Sequence, residues 1–190
     1  VRTLERAGAD CIQLEDQVSP KRCGHFNGKE VIEASEMDGK IKAACDARRN
    51  SDTIIMARTD AAAIHGFDAA VERAQAYAEA GADLLFVEAV TSAEHIAALP
   101  QRLKTPQLMN MVIGGKTPIT STEELAKMGY GIVLYANAAL QGAVAGMQRA
   151  LGVLKNEGHI QEDPNLVAPF AERQRLVNKP IWDALEKKYQ

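Results

Sequence analysis

Within the stretch "SPKRCGHFNGKE" (residues 19–30) a single thiol, Cys23, stands among Lys21, Arg22 and His25 and is followed at once by Gly24. Nearby cations favour thiolate over thiol and lower a cysteine's pKa, which makes such a thiol usable as an acid, base or nucleophile. The segment is too polar and glycine-rich for a packed element. Gly24 and Gly28 suit a loop that folds over a ligand and moves. The bland alternative is a surface cysteine in a basic loop. A second set of chemistry-bearing residues recurs at the ends of apolar runs: Glu15, Asp16 and Gln17, then Arg58, Thr59 and Asp60, then Glu88, Asn110, Tyr135 and Asn137. Ionisable groups are costly to bury without partners. Any one of them, Asp16 or Asp60 for instance, is as readily a structural ion pair; all the runs ending alike points to one shared site. Carboxylates without Cys or His ligands suit a hard cation that keeps its waters, such as Mg²⁺ or Mn²⁺. Arg58 offers a planar fork for a substrate carboxylate, and Asn110 a neutral donor and acceptor. The set reads as a site for a small carboxylate held with Mg²⁺.

The runs that carry these residues, 11–16, 53–60, 84–89, 107–112 and 131–137, are short, apolar and not alternating. That is the pattern of buried parallel strands. Helical patterns lie between and after them at 36–49, 67–80, 92–103, 121–128 and 138–157, with Ser121 and Glu124 forming a capping-box signature. Strand and helix in regular alternation predict an α/β fold with right-handed crossovers. An internal echo sharpens this: "AGADCIQLED" (7–16) and "AGADLLFVEA" (80–89) each deliver a glutamate, Glu15 and Glu88, at the same distance from an Asp. Repeated βα units in equal register suggest a (β/α)8 TIM-type barrel; the alternative is that "AGAD" is a common helix-stop turn. Residues 1–158 are read as the C-terminal five βα units of that barrel, and 159–190 as a C-terminal helical extension with a helix over 170–189. An eight-unit barrel takes ~250 residues, so roughly three further units are expected ahead of Val1. The terminal helix suits exchange with a neighbouring subunit or a peripheral place on its own chain.

The balance of charge, −3 with a pI near 5.9, gives no basic footprint for nucleic acid. No apolar run approaches the ~18 residues of a membrane span. The three cysteines, Cys11, Cys23 and Cys45, show neither CxxC nor zinc spacing, which fits a reduced, cytoplasmic setting. Cys11 and Cys45, in a strand and a helix, are expected to be packing residues.

In order and spacing, "QLEDQVSPKRCGH", "IIMARTDA" and "AGADLLFVEA" resemble the isocitrate lyase/phosphoenolpyruvate mutase superfamily, over about Ala7 to Gly158. "KRCGH" is similar to the lid of its C–C lyase branch, the methylisocitrate, dimethylmalate and oxaloacetate acetylhydrolase type. The resemblance implies Glu15 in the Mg²⁺ shell, largely through water. It implies Cys23 as the proton donor, beside His25, and Arg58 on the substrate carboxylate. Glu88 and Asn110 would line the pocket, with Lys21, Arg22 and Gly24 on the lid. It also implies a homotetramer or homodimer that exchanges its last helix. The family's metal-holding aspartates lie on earlier strands, outside this sequence. Val112 and Gly114 stand where isocitrate lyases have serines, and Ile113 where many lyase relatives have Glu. "GGKTP" is closer to the dimethylmalate and oxaloacetate side and lacks P-loop spacing. The expected activity is Mg²⁺-dependent retro-aldol cleavage of a 2-hydroxy or 2-oxo di- or tricarboxylate. Phosphonopyruvate mutase-like or decarboxylase chemistry on the same scaffold is the alternative, and a non-catalytic barrel fragment is the reading from another class.

Overall fold

The computed structural model describes residues 1–24 and 26–190, and its contacts divide into two units, Val1–Ala136 and Asn137–Gln190. In the first unit α1 (Arg2–Arg6), β1 (Cys11–Glu15), α2 (Ala34–Ala47), β2 (Ile54–Thr59), α3 (Ala62–His65) and α4 (Phe67–Glu79) come first. They are followed by β3 (Leu84–Val87), α5 (Ala93–Arg102), β4 (Leu108–Asn110), α6 (Thr122–Met128) and β5 (Ile132–Leu134). Every strand pair is parallel, in the order β1-β2-β3 and β4-β5. A bridge from Leu85 to Gln107, with the Leu85 N–H on the Pro106 carbonyl at 2.9 Å, continues the order from β3 to β4. The alternating α/β reading and the sequential parallel order are thus observed. The short helix α3, stopped at Gly66 (φ +92°), was not expected from the sequence.

Strand parity sorts the core. Ala57, Leu85, Val87 and Met109 point to the helices and pack with Met37, Ile41, Val71, Tyr77, Ile96, Leu99 and Leu125 in one cluster. Side chains of this kind contribute roughly 1.5–3 kcal/mol each when buried. The other parity gives a smaller cluster of Met56, Leu84, Phe86 and Leu108. On β5 that second face is open, with Ile132 42% and Leu134 39% exposed. Cys11 shares this parity and is exposed, which corrects the expectation that it packs. A strand residue is buried only where something covers its face. Cys45 does pack, its Sγ 3.3 Å from the Gly81 carbonyl.

One helix contains its own repair. Pro100 lies inside α5 and has no N–H to donate to the carbonyl of Ile96, four residues back. The Tyr130 hydroxyl donates to that carbonyl instead, at 2.7 Å, and burial pushes the Tyr130 phenol up. Gly129 caps α6 in the left-handed region (φ +108°), which turns the chain so that Tyr130 reaches α5. The expected capping box of Ser121 and Glu124 is present at the start of α6.

The second unit holds α7 (Ala138–Glu157), α8 (Phe170–Leu176) and α9 (Lys179–Tyr189). The helix anticipated over 170–189 is interrupted at Asn178, whose φ of +54° is left-handed, and Pro180 restarts it in the first turn of α9. Gly158 ends α7 in the left-handed region (φ +71°), at the end of the helical pattern 138–157. Leu140, Val144, Met147 and Leu151 recur on α7 at helical spacing and are exposed. No helix among the described residues is long and apolar enough to cross a membrane.

Tyr130→Phe leaves the buried Ile96 carbonyl without a donor and should destabilise the fold by about 1–3 kcal/mol. In a Pro100→Ala background residue 100 regains its N–H, so the same substitution should cost less. Urea denaturation of the four proteins of this cycle measures the difference; an equal loss in both backgrounds would refute the repair.

Candidate active site

Register brings the site together before any side chain is placed. β1 pairs Glu15 with Arg58, and β2 pairs Arg58 with Phe86 and Thr59 with Val87. Glu15, Arg58 and Phe86 therefore stand side by side on one face, with Asp60 and Glu88 one step beyond the strand ends. Arg58 is 9% exposed, and its guanidinium lies 5.0 Å from the Phe86 ring centroid. Its Nε and Nη2 donate to the two oxygens of Asp60 at 2.8 and 3.2 Å. Nη1 lies 3.2 Å from Glu88 Oε2, and Nε 3.5 Å from Glu15 Oε2. A guanidinium has five N–H donors, so the end facing away from Asp60 keeps donors to spare. Asn110 Nδ2 donates to the same Glu88 oxygen at 3.4 Å. Its Oδ1 is buried and has no partner among the described residues.

Electrostatics follow from this crowding. Burial raises the Asp60 carboxyl, but the Arg58 fork, the Gln17 side chain and Lys29 more than offset it, and the group is held below the ordinary carboxylate value. Burial likewise lowers Arg58, yet Asp60, Glu88 and Glu15 raise it on balance. Ala89 contributes geometry: it sits in the left-handed region (φ +56°), and its N–H turns back onto Glu88 Oε1 at 3.0 Å. Backbone in that region is uncommon for a residue with a Cβ.

Parity also separates the adjacent acids of β1. Glu15 is on the Arg58 face, whereas Asp16 is on the helix face and fully buried. Asp16 Oδ1 accepts the Asp60 N–H at 3.0 Å, and Oδ2 accepts the Tyr77 hydroxyl at 2.8 Å with Arg73 Nη1 at 3.5 Å. Asp16 thus ties the end of β1 to the end of β2 and to α4.

The loop after β1 lies against this cluster. Its base is closed by a bridge between Gln17 and Val31 and by the Val18 N–H on Glu30 at 2.9 Å. The Gln17 amide accepts from the Arg22 N–H at 2.8 Å and donates to its carbonyl at 2.9 Å. Gly24 is seated so tightly that an added Cβ would lie 2.3 Å from Glu88 Cγ and 2.7 Å from Arg58 Nη2. Lys21 pairs with Glu15 at 3.0 Å. Cys23 is exposed, one residue before Gly24. Arg22 is exposed, and its side chain approaches Gly28. His25 lies outside the described residues.

The structure therefore brings Glu15, Arg58, Glu88, Asn110, Gly24 and Lys21 together. Cys23 and Arg22 are carried on the covering loop, without a side-chain contact to that cluster among the described residues. Tyr135 is exposed beyond β5, and Asn137 is the N-cap residue of α7 in the second unit. Sequence reasoning passed over Lys29 and Phe86. Only the parity of β3 could have signalled Phe86; Lys29 follows from loop geometry alone. The described residues do not form a Mg²⁺ shell: no group of three or more His, Cys, Asp or Glu side chains is placed to hold a metal ion, and Glu15, Asp60 and Glu88 gather on Arg58 instead. The Glu15 oxygens face Lys21 and Arg58, so Glu15 suits a hydrated cation only through water.

The sequence profile of the family described as Phosphoenolpyruvate phosphomutase matches residues 1–154. The 2,3-dimethylmalate lyase of Eubacterium barkeri is 46% identical over 189 residues, covering 100% of this chain and 65% of that protein. The 2-methylisocitrate lyase of Aeropyrum pernix is 46% identical over 158 residues, covering 83% of this chain and 51% of that one. The chain thus spans between half and two thirds of the length of these relatives. Among solved structures, a 2,3-dimethylmalate lyase described as a PEP mutase/isocitrate lyase superfamily member superposes with a TM-score of 0.86. It is 36% identical and covers 98% of this chain and 64% of that one. A phosphonopyruvate hydrolase in complex with oxalate and Mg²⁺ superposes at 0.80, with 29% identity, covering 97% and 64% of the two chains.

Two outcomes follow from the ion-pair cluster. Arg58→Met strands buried carboxylates and should destabilise the protein by about 3–5 kcal/mol, measured by chemical denaturation. Asp60 has a depressed folded-state pKa, so its contribution is fully present above the unfolded carboxylate value. It is lost as pH falls through the folded value. Stability should therefore decline below about pH 4, less steeply in Asp60→Asn; parallel acid titrations of the two would exclude this contribution.

Proposed function

Because the chain belongs to the phosphoenolpyruvate mutase/isocitrate lyase superfamily, we propose that it forms the C-terminal five units of a (β/α)8 barrel enzyme that cleaves a carbon–carbon bond in a 2-hydroxy or 2-oxo dicarboxylate. The observation that carries the substrate class is the pairing of Arg58, with N–H donors beyond those given to Asp60 and Glu88, and Asn110, whose buried oxygen has no partner among the described residues. A substrate carboxylate takes the first and a hydroxyl the second. An unmet buried acceptor costs about 1–3 kcal/mol, which a bound hydroxyl returns.

In the proposed reaction the C2 hydroxyl, which a 2-oxo substrate gains by adding water across its carbonyl, gives its proton to a base, and a C=O forms at C2 as the C2–C3 bond breaks. The electron pair stays on C3, and the departing carbanion takes a proton from Cys23 Sγ. Arg58 holds the carboxylate, Asn110 orients the oxygen, and the loop through Gly24 keeps water from the reacting carbon. Glu88 fixes both Arg58 and Asn110 through one oxygen. Mg²⁺, or Mn²⁺, belongs to this reading, with Glu15 reaching it through water; it would supply positive charge to the substrate oxygens. The Mg²⁺ in the phosphonopyruvate hydrolase complex supports that assignment. The similarity to a dimethylmalate lyase, and "GGKTP" after Asn110, favour a dicarboxylate over isocitrate. A cytoplasmic homo-oligomer that exchanges its last helix completes the proposal, supported by the exposed apolar stripe of α7.

Cys23→Ser should lower kcat by about 10²–10⁴ with KM little changed, because protonation is made in the transition state. Arg58→Lys keeps the charge but not the fork, and should raise KM for a dicarboxylate. Steady-state kinetics with 2,3-dimethylmalate, 2-methylisocitrate and oxaloacetate decide the matter. Full turnover in Cys23→Ser removes the thiol from the chemistry, and an unchanged KM in Arg58→Lys removes the substrate class.

A further inference from the structure

Lys29 is a buried lysine that the chemistry above does not use. Its side chain is 2% exposed, a rare state for lysine without a partner. The ammonium lies 3.4 Å from Asp60 Oδ1 and donates to the Gly24 carbonyl. One nitrogen thus joins the far side of the loop, the backbone next to Cys23, and the end of β2. Besides Gln17, whose side chain also hydrogen-bonds Asp60, two exposed side-chain ties hold this loop to its surroundings among the described residues: Lys21 with Glu15, and Lys116 with Asn27 at 2.9 Å. Lys21 is 56% exposed, and exposed ion pairs contribute little. The Lys116 tie is also exposed and reaches Asn27, beyond the Gly24 turn. The buried tie outweighs both because no water competes for it.

We propose that Lys29 is a positioning residue that latches the Cys23-bearing loop onto the Arg58–Asp60 pair. The proposal deepens the lyase reading, since it is Cys23 that the latch places. Lys29 touches no reacting atom; it fixes Gly24, and through Gly24 the neighbouring thiol. Asp60 holds Arg58 with both oxygens and the latch with one, and it also accepts from the Gln17 side chain. A lysine suits this better than a neutral donor, because Asp60 is held ionised by its neighbours and the loop carbonyl accepts from the same cation.

Limited trypsin digestion of the full chain tests it without substrate. Cleavage after Lys21 and Arg22 requires the loop to open. Lys29→Met should speed those cuts on the order of tenfold or more, the population change expected from losing a buried hydrogen bond to a charged group. Cleavage after Arg149 on α7 serves as the internal control and should not change. Lys29→Arg should restore the slow rate, and Lys29→Gln, which keeps a donor for the Gly24 carbonyl, should fall between; it also serves if Lys29→Met does not fold. In turnover, Lys29→Met should lower kcat more than it raises KM, with rescue in Lys29→Arg. Equal cleavage in wild type and the folded variants overturns the latch. Faster loop cleavage together with full turnover in Cys23→Ser keeps the latch and removes the thiol's role, whereas faster loop cleavage in a protein whose wild type turns over none of the three substrates keeps the latch and removes the lyase reading, so the two fail separately.

Discussion

The guanidinium of Arg58 is the point on which the described residues of the first unit converge. It is buried, so its charge is tolerable only with partners, and Asp60, Glu88 and Glu15 meet it from three strand ends. Those partners bring others: Glu88 orders Asn110, Asp60 takes Lys29, and Glu15 takes Lys21. The apolar clusters supply the stability that lets this arrangement persist. A charge network of this kind rarely adds net stability, but it fixes where each group stands.

The sheet's alternation keeps that network apart from the scaffold. Glu15 and Asp16 are neighbours in sequence, yet the period of two sends one to Arg58 and the other to Tyr77 and Arg73. The same rule places Met56, Arg58, Leu84 and Phe86 on one side, and Ala57, Leu85 and Val87 against the helices. Chemistry and support share strands without sharing side chains. Tyr130 shows the same economy on the helix side, closing the gap that Pro100 opens.

Much of this was legible in the residues. Parallel strands read as apolar runs, so β1 to β4 were found within two residues of their place, while β5 stops three residues short of the run 131–137. The echo of Glu15 and Glu88 located two walls of the site because equal spacing from a helix stop gives equal height along a sheet. Arg58 and Asn110 stood out as polar residues ending or interrupting such runs. Other features were not legible, for physical reasons. Which of two adjacent acids faces the site depends on which face is covered, and that is a tertiary fact. Cys11 looked like a core residue because its strand is apolar, but the face it occupies is open. Lys29 sits in a polar loop where a lysine is ordinarily solvated; only the fold of that loop buries it. The break at Asn178 depends on one left-handed residue inside an otherwise helical pattern.

The seat of Gly24 has a kinetic meaning. Its backbone lies against Arg58 and Glu88, the side chains proposed to receive the substrate, with no room left for even a Cβ. Encounter and capture are then separate events, and capture waits on the loop. At low ligand concentration the observed rate grows with concentration; at high concentration it levels off at the rate of opening, whatever the ligand's charge. Attraction between an anion and the basic loop governs only the first regime, so added salt should slow dilute binding and leave the plateau where it is.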